Sequence, residues 1–180
     1  MTRTTLRTAA AALLLTAAAA LPAHAQISSP IKFNVRAGAA LPMGDFGDFV
    51  NTGFTLGGGL TLRAPLMPVA LRVDGDYNRF AFDTDLADED VSIWAITANA
   101  QLAPALSPIY FIGGAGMYSM SAFDDSETDF GLNGGAGLRI PLTGFNTFVE
   151  ARYHHVFTKD DADPNSSNTQ YLPIVFGVEF

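Results

Sequence analysis

The sequence predicts an all-β protein, an eight-stranded antiparallel up-and-down barrel whose strands cross a membrane. Three observations predict it. Apolar and polar residues alternate with period two in successive segments, the pattern of strands with one apolar face. The connections alternate too, long and acidic at one end, short and uncharged at the other. Finally, the 180-residue chain has a net charge of −8 and 16% charged residues, yet its mean hydropathy is +0.20, too apolar for an ordinary acidic soluble domain.

Residues 1–25 stand apart from this pattern. Arg3 and Arg7 precede an uncharged run from Thr8 to Leu21, and Pro22-Ala23-His24-Ala25 supplies a small-x-small cleavage sequence. The run is shorter than the roughly 17 residues a membrane helix needs. Residues 1–25 are therefore expected to be a cleaved signal peptide, and residues 26–180 the barrel domain. Cleavage before Gln26 leaves 155 residues with 8 basic and 18 acidic side chains, a formal charge of −10. The chain has no cysteine, so an exported domain must be held without disulfides, which closed backbone pairing can do. Its acidity, without clustered Lys and Arg, argues against nucleic acid as a partner.

The strands follow in order. In 31–40, Ile31, Phe33, Val35 and Ala37 alternate with Lys32, Asn34, Arg36 and Gly38. In 52–63, Phe54, Leu56, Leu60 and Leu62 alternate with Thr55, Thr61 and Arg63. In 69–82, Val69, Leu71, Val73 and Tyr77 oppose Arg72, Asp74, Asp76 and Asn78. Segment 90–102 sets Trp94, Ile96, Ala98 and Leu102 against Ile93, Ala95, Thr97, Asn99 and Gln101. Segment 109–122 is strand-like but apolar on both faces, so its phase stays open. In 129–140, Phe130, Leu132, Leu138 and Ile140 oppose Asn133 and Arg139, and in 146–157, Val149, Tyr153 and His155 oppose Phe148, Glu150, Arg152 and His154. Segment 169–180 alternates most clearly, with Leu172, Ile174, Phe176, Val178 and Phe180 on one face and Tyr171, Gly177 and Glu179 on the other. In a membrane barrel the apolar sets face lipid and the charged sets face the lumen.

Eight strands let both termini lie at one end. The odd-numbered connections, 41–51, 83–89, 123–128 and 158–168, with the flanking Asp90 and Asp129, hold 14 of the 18 acidic residues. Among them are Asp83, Asp85, Asp88, Glu89, Asp124, Asp125, Glu127, Asp160, Asp161 and Asp163. The even-numbered connections are short, uncharged, and contain or abut Pro65, Pro68, Pro104, Pro108 and Pro141. Long loops outside and tight turns in the periplasm account for this sorting, with both termini periplasmic.

Lys32, Arg36, Arg72, Asp74, Asp76, Arg139, Glu150, Arg152 and Glu179 share the lumenal parity and are mixed in sign. Eight strands enclose a space just wide enough for side chains to fill, and unpaired buried charge is costly. A plug of paired charges is expected, with a narrow ion path as the alternative. Asp161-Ala162-Asp163-Pro164-Asn165 opens like a calcium-binding loop, but Ser166 and Leu172 stand where glycine and a bidentate glutamate are needed. A solvated acidic loop is the better reading. The glycines of 57–59, 113–114 and 134–135 sit inside strands and form no phosphate loop; relief of crowding explains them. Phe33, Phe54, Trp94, Tyr153, Phe157, Phe176 and Phe180 fit aromatic girdles. No cofactor, metal or catalytic centre is predicted.

Ala37-Gly38-Ala39-Ala40-Leu41-Pro42-Met43-Gly44-Asp45-Phe46, Gly113-Gly114-Ala115-Gly116, Phe148-Val149-Glu150-Ala151-Arg152-Tyr153 and the terminal Phe180 carry a resemblance. Over the whole of 26–180 the chain is similar to the small eight-stranded outer-membrane β-barrel domain proteins, the group of the OmpA barrel and the OmpX, Ail and opacity proteins. The resemblance implies an embedded barrel with an adhesive, envelope-stabilising or defensive role, occasionally a small pore. The last strand, through Tyr171, Phe176, Val178 and Phe180, resembles the signal read by the barrel-assembly machinery. The chain is expected to end with the barrel, without the peptidoglycan-binding domain of full-length OmpA. Some relatives are lipid A deacylases with a His-x-Ser arrangement; here Val156 and Phe157 follow His155, and no serine takes the nucleophile's place.

The expected protein is thus an outer-membrane barrel with a structural or surface-interaction role, not an enzyme. Its expected partners are membrane lipid and lipopolysaccharide, the latter bridged by divalent cations at the acidic loops, and the barrel-assembly machinery. A soluble lipocalin-like binder would bury the aliphatic faces and is inconsistent with Arg36, Arg72, Asp74, Glu150 and Arg152 lying opposite them.

Overall fold

The computed structural model describes residues 30–63, 67–81, 90–104, 106–122, 125–142, 145–157 and 168–180. Eight strands form one closed antiparallel ring in sequence order: β1 (Ile31–Met43), β2 (Gly53–Arg63), β3 (Val69–Ala81), β4 (Asp90–Leu102), β5 (Ile109–Ala122), β6 (Asp125–Leu142), β7 (Phe145–Phe157) and β8 (Thr169–Glu179). The ring closes where β8 pairs with β1, Val35 opposite Val178 and Leu41 opposite Leu172. Closure leaves no unpaired strand edge, the condition for a sheet surrounded by lipid.

Register fixes the shape. From Phe33, cross-strand partners lead through Leu60, Val73, Ala98, Ala115, Leu132, His155 and Gln170 to Met43, ten residues further along β1. Such a stagger tilts the strands by roughly 35–45° and sets the lumen's width.

Two connections differ from expectation. β1 continues to Met43 and runs into a short 3-10 helix, Gly44–Asp48, where residues 41–51 were expected to be loop. β6 begins at Asp125, with Ala122 opposite Asp125 and Met120 opposite Glu127. Asp125 and Glu127 therefore lie on a strand rather than in a loop, and Asp129 is buried on the lumenal side. Polar side chains read as turn signals, yet a hairpin can keep its ladder past the membrane, where water tolerates them. The phase of β5 is settled as well: Tyr110, Ile112 and Tyr118 point inward, Phe111 and Met117 outward.

The distribution of side chains is inverted relative to a soluble protein. The outer wall presents Leu71, Ile96, Phe111, Trp94 and Phe176, all more than half exposed, while Arg36, Arg72, Asp74, Asn99, Glu150 and Arg152 are buried inside. In water so much contiguous apolar surface would drive association; against hydrocarbon it is the favourable arrangement. Aromatic contacts gather on the same wall: Tyr77 packs between Phe54 and Trp94, and Phe130 stacks on Phe157. No helix among the described residues is long and apolar enough to cross a membrane.

Candidate functional site

The centre of the lumen is built around two carboxylates. Asp74, on β3, has a side chain with no exposure and accepts four hydrogen bonds: from Arg36 Nη1 at 2.9 Å, Arg72 Nε at 2.8 Å, Arg152 Nη1 at 3.0 Å and Asn99 Nδ2 at 3.1 Å. Glu150, on β7, accepts from Arg72 Nη1 at 2.8 Å, the Tyr110 hydroxyl at 2.7 Å and Arg152 Nε at 3.2 Å; Arg152 Nη2 adds a short contact to the same oxygen. Each carboxylate thus has a donor for each of its roughly four lone-pair positions. Arg36 Nη2 reaches both oxygens of Asp76, at 2.6 and 2.7 Å. Three guanidiniums face three carboxylates, so the cluster is neutral although its members are buried. That balance lets the desolvation cost be offset.

Sequence explains why these groups fit. On the lumenal face of β2, a Cβ at Gly57 would lie 2.0 Å from Asp76 Oδ1, and one at Gly59 2.1 Å from Asp74 Oδ1. Gly137 likewise makes room for the Tyr110 ring and Gly177 for that of Phe148. The glycines mark where a neighbouring strand sends a large side chain across the lumen.

Apolar layers bound the charged one. Toward the acidic end, Tyr118 OH lies 2.9 Å from His154 Nδ1, and His154 stacks on Tyr171 at 4.8 Å between centroids. Tyr171 meets Phe80 at 5.8 Å, and Phe80 meets Phe46 of the 3-10 helix at 5.2 Å. Ala40, Val50, Val91, Ile93, Ala95 and Val156 complete this cap. Toward the end holding the termini, Tyr110, Ile112, Phe148 and Val175 form a second apolar layer.

The remaining predicted lumenal residues lie beyond that second layer. Lys32 pairs with Glu179 at 3.2 Å, and Arg139 donates to Gln101 Oε1 at 2.8 Å with its guanidinium 4.8 Å from the centre of the Tyr110 ring. Of the residues assigned to an assembly signal, Tyr171 is buried in the lumen, whereas Phe176 faces outward and Val178 is half-buried. Asp83, Asp85, Asp88, Glu89, Asp124, Asp160, Asp161 and Asp163 lie outside the described residues, and Glu127 is exposed on β6. No group of His, Cys, Asp or Glu with metal-binding geometry occurs among the described residues.

Sequence reasoning missed Asn99, Tyr110, Gln101 and the cap of Phe46, Phe80 and Tyr118 as parts of the site. The available signal was parity: Phe80 shares a face with Asp74 and Asp76, and Tyr110 and Tyr118 fall eight residues apart on one face of β5. His154 and His155 point to opposite faces, His155 lying against Tyr153 and Phe157.

A closed ring with an apolar exterior and a hydrogen-bonded ionic interior is a transmembrane β-barrel. The chain belongs to the outer membrane protein beta-barrel domain family, whose profile matches residues 10–180. Its location is accordingly the outer membrane. Among solved structures it is similar to neisserial surface protein A (19% identity, 84% of this chain and 96% of that one, TM-score 0.66). It is also similar to the N-terminal barrel domain of Pseudomonas aeruginosa OprF (13%, 83% and 97%, TM-score 0.52) and to Ail, the attachment invasion locus protein of Yersinia pestis (17%, 84% and 100%, TM-score 0.51). At such identities these likenesses concern the fold. No curated protein matches the chain.

Proposed function

We propose that the protein is a non-conducting outer-membrane scaffold that presents its acidic end to the exterior in an adhesive or envelope-stabilising role, without enzymatic activity. The observation that supports this reading is the set of buried ion pairs that join opposite walls of the lumen. A neutral ionic cluster sits between two apolar layers, and an ion from either end must cross one of those layers, whose side chains offer it no replacement for its water. With passage closed, the loops are the part of the molecule left to act on the outside.

Orientation follows from loop chemistry. The short, proline-marked, uncharged turns face the periplasm with both termini, after removal of residues 1–25 as a signal peptide. The acidic loops face outward, where divalent cations bridge them to lipopolysaccharide phosphates, and β8 with its outward Phe176 and terminal Phe180 is presented to the barrel-assembly machinery. The likeness to Ail, named for attachment and invasion, and to a neisserial surface protein supports a surface role. Against catalysis, His154 is engaged by Tyr118 and stacked on Tyr171 inside the lumen.

Because the chain has no cysteine, single cysteines test the orientation. Ser166→Cys in the seventh connection is expected to react with a membrane-impermeant maleimide in intact cells, and Ser107→Cys in the fourth only after the outer membrane is opened. The reverse pattern would refute surface display of the acidic end.

A further inference from the structure

The end of the lumen that holds the termini carries an imbalance that the central cluster does not. Arg63, Arg139 and Lys32 converge there, and the opposing carboxylate side chain among the described residues is Glu179, paired with Lys32 at 3.2 Å. Arg63 and Arg139 come from β2 and β6, half a turn of the ring apart. Both direct a guanidinium nitrogen at the same neutral acceptor, Gln101 Oε1, at 3.5 and 2.8 Å. Neither has a carboxylate within salt-bridge distance among the described residues. Two like charges held on one amide oxygen repel each other, and burial raises the cost. Arg139 is further held by its packing over the Tyr110 ring. The turns at this end, 64–68, 103–108 and 143–144, are uncharged in sequence. A chain with net charge −8 therefore shows a cationic mouth at one end.

From this geometry we infer that the mouth formed by Arg63, Arg139 and Lys32 is a binding site for a small oxyanion of the phosphate class. The chemistry fits in three respects. Planar guanidiniums present paired N–H donors that match phosphate oxygens. Gln101, buried with its oxygen taken by the arginines, fixes where those donors stand. All three cations are half-buried rather than free in solvent, so a bound anion would be less screened than at an open surface. The phosphate has two possible sources, the headgroup of an anionic phospholipid in the adjoining leaflet or free phosphate. The inference does not depend on the surface role proposed above, nor on whether the barrel conducts.

The test uses the folded barrel in zwitterionic detergent with ¹⁵N-labelled arginine, titrated with inorganic phosphate against sodium chloride of equal ionic strength. The expected result is a saturable shift of the Arg63 and Arg139 side-chain resonances, while Arg79, held by Asp90 on the outer wall at the other end, stays still. Arg63→Gln with Arg139→Gln should weaken the response about tenfold or more, the loss of a charge-assisted contact worth about 1.4 kcal/mol or more. Gln101→Glu gives a second variant. It places a carboxylate between the arginines, should keep heat-modifiable gel migration, and should abolish the phosphate response. Repeating the experiment in vesicles of phosphatidylcholine with and without phosphatidylglycerol separates the sources. If phosphatidylglycerol produces the shift and pre-empts added phosphate, the ligand is the headgroup; if only free phosphate does so, it is the soluble ion. An absent or non-saturable response, or one unchanged in a folded Gln101→Glu variant, overturns the inference.

Discussion

Asp74 and Arg152 meet across the full width of the lumen, their Oδ2 and Nη1 atoms 3.0 Å apart, although β3 and β7 stand on opposite sides of the eight-stranded ring. Arg36, Arg72 and Asn99 reach the same carboxylate. Asp74 therefore ties β1, β4 and β7 to β3, so that opposite walls share one buried counterion.

Removing that counterion should cost more than removing any surface charge. Asp74→Ala leaves three buried guanidiniums facing two carboxylates, and breaking a buried pair in this way costs about 3–5 kcal/mol. Arg79→Ala, which breaks the Arg79–Asp90 pair on the outer wall, is expected to cost at most about 1 kcal/mol. Urea titration of the barrel refolded in vesicles measures both. Equal losses would remove Asp74 from the centre of the account.

The hydroxyl of Tyr110 can be isolated from its ring. Tyr110→Phe keeps the packing against Gly137 and Arg139 and deletes the 2.7 Å hydrogen bond to Glu150. A bond to a charged group contributes about 1.5–3 kcal/mol, and a loss in that range is expected in the same titration. Gly137→Val should prevent folding, because a Cβ there would stand 2.2 Å from the Tyr110 ring; retained heat-modifiable migration would contradict the packing described.

The outer wall makes a separate prediction. Ile96 is 69% exposed and faces hydrocarbon in this account. Ile96→Arg should lower stability in vesicles by about 2–4 kcal/mol near the midplane, whereas in water an exposed isoleucine can be replaced by arginine at little cost. A negligible effect would mean that the apolar wall does not meet lipid.

Trp94, the single tryptophan, lies on the outer wall beside Tyr77, with ring centroids 4.8 Å apart. Its fluorescence should be quenched by brominated acyl chains and shielded from aqueous acrylamide, as expected of an interfacial aromatic girdle. Strong acrylamide quenching would move this part of β4 out of the membrane.

Most of the fold is legible in the sequence because seven strands carry charge or amide on one face and aliphatic side chains on the other. Arg72, Asp74 and Asp76 against Leu71 and Val73 leave no choice of phase for β3. In β5 neither face is charged, since its lumenal residues Tyr110, Ile112 and Tyr118 serve the apolar layers rather than the ionic one. Parity puts Arg36, Asp74, Glu150 and Arg152 inside, but their pairing depends on the ten-residue stagger of the ring, a property no single segment contains. The extension of β6 back to Asp125 was hidden for a different reason. Beyond the bilayer a hairpin keeps its backbone bonds with side chains that elsewhere signal a turn.

If the lumen is closed, single-channel recording in planar bilayers is where that closure is seen without an intermediary. The purified barrel should give no ion-conducting steps, while the double variant Phe80→Ala with Tyr171→Ala, which opens the cap above the ionic cluster, should admit small transient currents if it folds. Steady, well-resolved conductance from the unaltered protein would contradict the account and make the buried charges an ion path.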